Sequence, residues 1–336
     1  MTPPSLARAL SQALSQGVDR LEALPHLRET AARDALTLLL NTLSINRAQF
    51  YANSHRILTP EQQSTYDAAI ARRLTHEPIQ YITGEQEFFG LPLRVTPAVL
   101  IPRPETEHLV EAVLAELRST ANDFDCHSAA PPAESTEEQR KLLLSRSGPH
   151  ILDVGTGSGA IAIALAHHLP HAHVTATDIS PAALTLAREN AIRNNVRIKL
   201  VESDLLNNPE TVIPSEAALN AGSEIEGPAA ALAITGLFDA IVSNPPYVPE
   251  ADRPTLHPQV RDFEPSTALF AGPDGLAIYR RLIPQARAAL TPNGLLALEI
   301  GHGQRDAIAG LLSGWHSVRF VPDLQGIPRV ALARRP

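Results

Sequence analysis

The chain has 336 residues, 44% of them hydrophobic and 19% charged, with 28 basic against 36 acidic side chains and a formal net charge of −8. That length suggests two domains, each able to bury a core, while the acidic balance argues against sequence-independent nucleic-acid binding, which draws on clustered lysine and arginine. The single cysteine, Cys126, excludes a disulfide framework and a four-cysteine zinc module, and 29 prolines point to proline-rich connectors.

In the first eighty residues apolar side chains recur every three or four positions: Leu27, Ala31, Ala35, Leu36, Leu39, Leu40 and Leu43 form one stripe, which predicts a helical bundle. Thr59, Pro60 and Gln62 read as N-cap, first-turn proline and capping-box partner of a helix carrying Tyr66, Ile70 and Leu74. The period changes at Glu85, where short β-type runs flank Gly90 and predict a hairpin. A helix follows from near Pro104, with Leu109, Val110, Val113, Leu114 and Leu117 on its buried face. Residues 121–148 are rich in Ser, Pro, Ala and Glu without periodicity and read as a mobile, dispensable insertion. Beyond them, apolar runs at 151–154, 174–178, 198–201, 238–243 and 295–300 alternate with helical patterns, which predicts a parallel sheet with helices on both faces. Ser180 and Pro181 cap and start the helix after the second run, and residues 208–236 are an Ala-rich interruption outside the sheet. The runs 318–321 and 329–333, joined across Gly326, are expected to pair antiparallel. The organisation that follows is α/β with an N-terminal all-α bundle at 1–83, a hairpin connector at 84–104 and an α/β domain at 105–336.

Chemistry concentrates in two places. From Ile151 to Ala160 a strand feeds through Gly155, Thr156, Gly157, Ser158 and Gly159 into a helix. Glycines there let the backbone approach a ligand while helix-end N–H groups point outward, which implies a nucleotide-like ligand. Asp178, at the end of the next strand, is placed to accept ribose hydroxyls, and Asp204 and Leu205 follow the third strand, where they either pack a loop or flank an adenine ring at the sheet edge. Two other readings stay open: Gly155, Gly157 and Ala160 also satisfy the relaxed dinucleotide fingerprint of an NAD enzyme, and the glycines with Asp178 could simply build a turn and a cap. The second place is Asn244-Pro245-Pro246-Tyr247, directly after the run 238–243. Two prolines fix φ and supply no N–H, so the segment is either a plain turn with Tyr247 covering an edge or a site in which the Asn244 side chain and the Pro245 carbonyl act as acceptors for a planar nitrogen, with Tyr247 packing against it.

Together, Gly155 to Gly159, Asp178 and Asn244 to Tyr247 resemble the S-adenosylmethionine site and signature of class I N-methyltransferases. Pro78-Ile-Gln-Tyr-Ile-Thr-Gly84, Phe88-Phe-Gly-Leu-Pro-Leu93, Leu100-Ile-Pro-Arg-Pro-Glu-Thr-Glu107, Asp262-Phe-Glu-Pro265 and Gly326-Ile-Pro-Arg-Val330 are similar to the peptide chain release factor glutamine methyltransferase family. The resemblance spans both domains. It implies a Rossmann-like, seven-stranded, mostly parallel sheet and methyl transfer from S-adenosyl-L-methionine to the glutamine side-chain nitrogen in the Gly-Gly-Gln motif of class 1 release factors. It further implies that the N-terminal bundle docks the release factor, that Gly155, Thr156, Gly157, Ser158 and Gly159 hold the methionine portion, Asp178 the ribose, and that Leu205 flanks the adenine. Asn244, which also borders the donor, and Pro245 would receive the glutamine amide, with Pro246 and Tyr247 lining its slot. The chain departs from the family in its two insertions and in an aliphatic Leu205 where some relatives carry an aromatic ring.

A DNA or ribosomal RNA amino-methyltransferase and a non-catalytic S-adenosylmethionine-binding adaptor are the rival readings. Net charge and the full-length resemblance disfavour the first, and the intact Asn244 to Tyr247 segment the second. No stretch reaches the ~18 uninterrupted apolar residues of a membrane span and the first twenty residues lack a secretion-signal core, so a cytoplasmic, membrane-free monomer is expected, with no direct nucleic-acid partner. His167, His168, His171 and His173 straddle a helix end and are not expected to bind metal. Glu299 either faces the cleft or bonds a loop, and Arg103 either braces the donor or pairs with Glu105 or Glu107.

Overall fold

The structure is a computed structural model that describes residues 8–124, 148–207 and 238–336. Two compact units are present, one built from Met1–Glu85 with Leu256–Phe263, the other from Gln86–Thr255 with Glu264–Pro336.

The first unit contains α1 (Leu10–Glu22), α2 (Ala31–Leu43), α3 (Arg47–Ala52), α4 (Pro60–Leu74) and α5 (Ile79–Thr83), with the short helix Pro258–Phe263. On α2 the buried side is Ala31, Ala35, Leu38 and Leu39, an i, i+4, i+7, i+8 set. Leu36, Leu40 and Leu43 of the expected stripe lie at its margin, partly buried, because they sit about a third of a turn away. The α4 capping box forms as expected: the Thr59 hydroxyl accepts the Gln62 N–H at 3.2 Å, and Gln62 Oε1 accepts the Thr59 N–H at 3.1 Å. Tyr66 donates its hydroxyl to the Ala35 carbonyl at 3.3 Å. A Cβ on Gly17 would stand 2.1 Å from that hydroxyl, so α1 can approach Tyr66 only with glycine there.

From Glu85, the last residue of the first unit's N-terminal stretch, β1 (Glu85–Phe88) and β2 (Leu91–Arg94) form the hairpin, turning through Phe89 and Gly90. Both have positive φ, 52° and 75°, as a two-residue type I′ turn requires. Next come α6 (Pro104–Phe124), β3 (His150–Val154), α7 (Ala160–His168), β4 (His173–Asp178), α8 (Pro181–Arg193), β5 (Lys199–Glu202) and β6 (Phe238–Ser243). The chain then runs through α9 (Ala277–Ala289), β7 (Leu290–Glu299), α10 (Arg305–Leu311), β8 (His316–Pro322) and β9 (Pro328–Arg334). Helix α6 continues through residues 121–124; the rest of the segment expected as an insertion, up to 147, and all of 208–236 lie outside the described residues.

The seven strands are ordered β5-β4-β3-β6-β7-β9-β8, parallel from β5 to β7, with β9 antiparallel to both β7 and β8. This is the sheet of a class I methyltransferase fold. Alternation along the strands feeds two cores: Ile151, Val174, Ala240, Val242, Leu295 and Ala297 face α6 and α7, whereas Leu152, Val154, Ile241, Leu296 and Leu298 face α9 and α10. Strand β7 begins five residues before the expected run, because residues 291–294 loop out between the pairs Phe238–Leu290 and Ala240–Leu295. Among the described residues no helix is long and apolar enough to cross a membrane.

One buried polar side chain stitches the hairpin to the sheet. Asn190 of α8 is fully buried; its Nδ2 donates to the Arg94 and Ser158 carbonyls, both at 2.9 Å, and its Oδ1 accepts the Arg94 N–H at 2.7 Å. Asn190→Ala leaves these three backbone groups without partners, and is expected to cost about 3 kcal/mol, read as a lower urea midpoint at unchanged m-value. An unshifted midpoint would show that water replaces the side chain.

Candidate functional site

The β3–α7 turn is built from three glycines in the left-handed region, Gly155, Gly157 and Gly159, with φ of 75°, 55° and 85°. Their reasons differ. A Cβ on Gly159 would meet Ile163 Cδ1 at 2.9 Å and Ala187 Cβ at 3.2 Å, so this glycine lets α7 pack on α8. A Cβ on Gly155 or Gly157 would meet nothing within 4 Å among the described residues, so there these two positions open on a space that side chains would fill. The turn is anchored from below: Gly155 and Thr156 both donate their N–H to the Thr177 carbonyl at 2.8 Å. Thr156 and Ser158 are buried, the Thr156 hydroxyl donating to Asp153 Oδ2 at 2.7 Å and the Ser158 carbonyl accepting from Asn190.

Asp178, at the end of β4, takes the Gly157 N–H on Oδ2 at 2.8 Å and the Ser180 N–H on Oδ1 at 2.9 Å. Even with a third backbone N–H, that of Ile179, beside it, the carboxylate keeps a lone pair for a further donor. Burial lifts this carboxyl above the ordinary aspartate range, against the backbone bonds from Ser180, Gly157 and Ile179. The next side chain, Ile179, is apolar and 62% exposed, an exposed surface beside Asp178 that sequence pattern did not single out. Asp204 points away into an ion pair with Arg281 at 2.5 Å. Leu205 is partly buried and held at φ 58°, a conformation that strains a bulky residue, while Leu206 donates its N–H to Gln285 Oε1 at 3.1 Å.

Parallel pairing brings the second motif beside the first. Strands β3 and β6 are neighbours, and the Ser243 hydroxyl donates to the Val154 carbonyl at 2.7 Å, so Gly155 and Asn244 leave adjacent strand ends. Asn244 donates Nδ2 to Thr106 Oγ1 at 3.1 Å. Among the described residues, no hydrogen bond reaches Asn244 Oδ1 or the Pro245 carbonyl. Pro245 is buried, Pro246 and Tyr247 partly so. The chain beyond is clamped: Gln304 Nε2 donates to the Tyr247 carbonyl at 3.0 Å, Val248 N–H to the Leu269 carbonyl at 2.9 Å, and Ala271 N–H to the Val248 carbonyl at 3.0 Å. A Cβ on Gly275 would stand 2.2 Å from the Tyr247 carbonyl, which requires glycine for this approach.

Two buried carboxyls accompany these motifs. Asp153, midway along an apolar strand, accepts from Thr156 and, at 3.2 Å, from the Ala162 N–H; its Oδ1 has no partner among the described residues. Burial pushes it up to about 7, aided by the charge of Asp178. Its position within Ile151-Leu-Asp-Val154 is the one signal by which sequence could have singled it out. Because the folded value lies above the unfolded one, stability from this group is full below the unfolded pKa and drains away as pH rises through about 7. Asp153→Asn keeps an acceptor for Thr156 and Ala162 without a charge to bury. It is expected to raise stability by about 2 kcal/mol at pH 8 and by close to nothing near pH 4. Melting curves at the two pH values check this, and an equal difference at both would refute it.

Glu299, at the end of β7, is buried and takes the Tyr247 hydroxyl at 3.4 Å on Oε1. Burial raises it to about 7, against the hydroxyls of Thr106 and Tyr247, while burial and Glu299 together push the Tyr247 phenol upward. Arg103 pairs with neither Glu105 nor Glu107. It reaches the buried Glu264 at 2.5 Å, and Glu107 instead accepts the Phe89 N–H at 2.9 Å. Among the histidines flagged by spacing, His167 and His168 contact edge to face and His173 lies against His150. No group of His, Cys, Asp or Glu among the described residues could hold a metal ion.

Residues 12–84 match the family described as PrmC N-terminal domain, and residues 139–213 the Methyltransferase small domain. The chain is 41% identical over 327 residues to the release factor glutamine methyltransferase of Koribacter versatilis, covering 97% of this chain and 99% of that one. It is 40% identical to the protein of the same name from Moorella thermoacetica, covering 97% and 98%. For that of Geobacter sulfurreducens the identity is 37%, covering 91% and 90%. With that identity along nearly the whole of both chains, on a methyltransferase sheet whose strand ends carry the glycine turn and Asn244 side by side, this chain is an enzyme of the release factor glutamine methyltransferase family.

Proposed function

We propose that this enzyme transfers the methyl group of S-adenosylmethionine to the side-chain amide nitrogen (N5) of the glutamine in the Gly-Gly-Gln motif of class 1 peptide chain release factors. The observation that carries this reading is a pair of oxygens without a donor among the described residues, Asn244 Oδ1 and the Pro245 carbonyl, one strand away from a glycine turn that these residues leave open. The residues fit the donor. Gly155, Thr156, Gly157, Ser158 and Gly159 shape the cradle for its methionine portion, Asp178 offers a lone pair to the ribose hydroxyls, and Leu205 with Ile179 offers apolar surface to the adenine.

When bound, S-adenosylmethionine supplies an electrophilic methyl on a sulfonium and a neutral leaving group. The task left to the protein is to prepare a poor nucleophile, since the lone pair of a carboxamide nitrogen is delocalised into its carbonyl. Asn244 Oδ1 and the Pro245 carbonyl accept the two N–H bonds of the substrate amide, hold its plane and aim the lone pair along the line of displacement. Tyr247 and Pro246 line the slot and exclude water. Such alignment contributes roughly 7–11 kcal/mol, so no strong base is needed before transfer and no covalent enzyme intermediate forms; once the N–CH3 bond has formed and the C–S bond has broken, the nitrogen is acidic and gives up one proton to bulk water. Residues 1–83 are assigned the docking of the release factor. Its net charge of −8 favours a protein substrate over nucleic acid, and we place the enzyme in the cytoplasm as a monomer.

The test is incubation of the purified chain and methyl-labelled S-adenosylmethionine with a release factor, its Gly-Gly-Gln→Gly-Gly-Ala variant, duplex DNA or ribosomal RNA. Label is expected in the unaltered release factor alone, on the glutamine by mass spectrometry. Label in nucleic acid would make the chain an amino-methyltransferase of bases; donor binding without any transfer would make it an adaptor.

A further inference from the structure

We infer that Thr106 and Glu299 are positioning residues that decide which end of the Asn244 carboxamide faces the substrate. The inference rests on Asn244 being the acceptor proposed above. A carboxamide is nearly symmetric in shape, and only its hydrogen-bond partners select whether its oxygen or its NH2 points into a slot. Thr106, buried in the first turn of α6, accepts Asn244 Nδ2 on its hydroxyl oxygen at 3.1 Å. The Glu299 carboxyl stands beside that hydroxyl, which favours its ionised form, and its Oε2 is buried with no hydrogen bond among the described residues. An ionised carboxylate only accepts, so it draws the Thr106 proton and leaves Thr106 a lone pair to offer. Asn244 must then turn its NH2 inward and its Oδ1 outward. If the carboxyl is neutral or missing, Thr106 is free to donate to Oδ1; the amide turns over and sets its NH2 against the NH2 of the incoming glutamine. The same carboxylate takes the Tyr247 hydroxyl, so one buried charge holds both sides of the slot.

The groups that face Glu299 are Thr106 and Glu105 from α6, Tyr247 from the segment after β6 and Arg329 from β9, while Tyr279 of α9 donates to its backbone carbonyl at 2.7 Å. Burial and the charge of Glu105 disfavour the carboxylate; Thr106, Tyr247 and Arg329 favour it, and the balance lies at about 7. Turnover should therefore rise with pH across neutrality. At pH 6 only about a tenth of the carboxyl would be ionised, an expected loss of about tenfold.

The experiment measures kcat and KM for methyl transfer to a release factor from about pH 5.5 to about pH 8.5, beside the side-chain amide resonances of Asn244, assigned by their loss in Asn244→Asp. The variants are Thr106→Ser, Thr106→Val and Glu299→Gln, with circular dichroism to confirm folding. Thr106→Val is expected to lower kcat by about 10–100-fold at little change in KM, Thr106→Ser to stay within about threefold of the parent, and Glu299→Gln to lose the acidic limb. In the parent the Asn244 amide resonances should titrate with the limb, and in Glu299→Gln they should stand still. Parental kcat and an intact limb in Thr106→Val and Glu299→Gln would overturn the inference while leaving the methyl transfer in place. Absence of transfer by the parent enzyme would instead remove the proposed function. The resonances then decide the inference alone, and an Asn244 amide that ignores pH in the parent would overturn it.

Discussion

Asn244→Ala is expected to cut methyl transfer by about 100–1000-fold while leaving donor affinity within about threefold. The side chain supplies one of the two oxygens at the end of β6 that have no donor among the described residues, and alanine leaves the Pro245 carbonyl to hold the amide plane alone. Losing one preorganised partner of the reacting group typically costs about 3–4 kcal/mol of transition-state stabilisation. Alanine also removes the donor to Thr106, but that hydroxyl still has the Glu299 carboxyl before it, so the scaffold loses little. Calorimetric titration with S-adenosylmethionine and single-turnover transfer to a release factor separate the two effects. Unchanged turnover would show that the carboxamide of Asn244 does not hold the substrate.

Asp178→Ala should do the reverse, weakening donor binding by about 100-fold and sparing turnover once the donor saturates. Its carboxylate holds the Gly157 and Ser180 N–H groups at 2.8 Å and 2.9 Å, so it shapes the glycine turn and, on the proposed reading, receives the donor's ribose with its remaining lone pair. Asp178→Asn keeps one oxygen for the N–H groups and swaps the other for a donor, for an expected loss of about tenfold. A rise in KM for the donor at near-parental kcat supports this division of labour. Tight donor binding by Asp178→Ala would reduce the residue to a helix cap, the alternative that sequence left open.

Elements whose causes are local were legible in the sequence: the capping box of Thr59 and Gln62, the Ser180 cap, the apolar runs of the sheet, and turn segments placed at strand ends. The buried carboxyl beside the slot, Glu299, was visible only as an alternative, and Asp153, Thr106 and Asn190 carried no role at all. Even the three glycines of the β3–α7 turn look alike in sequence, although one serves helix packing and two open on space.

Residue order alone settled the class of the fold, the alternation of strand and helix, and the types of side chain available at each strand end, because periodicity and turn chemistry act over four residues or fewer. Which of those ends meet was decided by the strand order β5-β4-β3-β6-β7-β9-β8. Asn244 meets Thr106 across 138 positions and Tyr247 meets Glu299 across 52, and the desolvation that lifts Asp153 and Glu299 exists only once both faces of the sheet are covered. Hydrogen-bond partners and buried charge are properties of the packed sheet, set by pairings distant in the chain, and no local pattern encodes them.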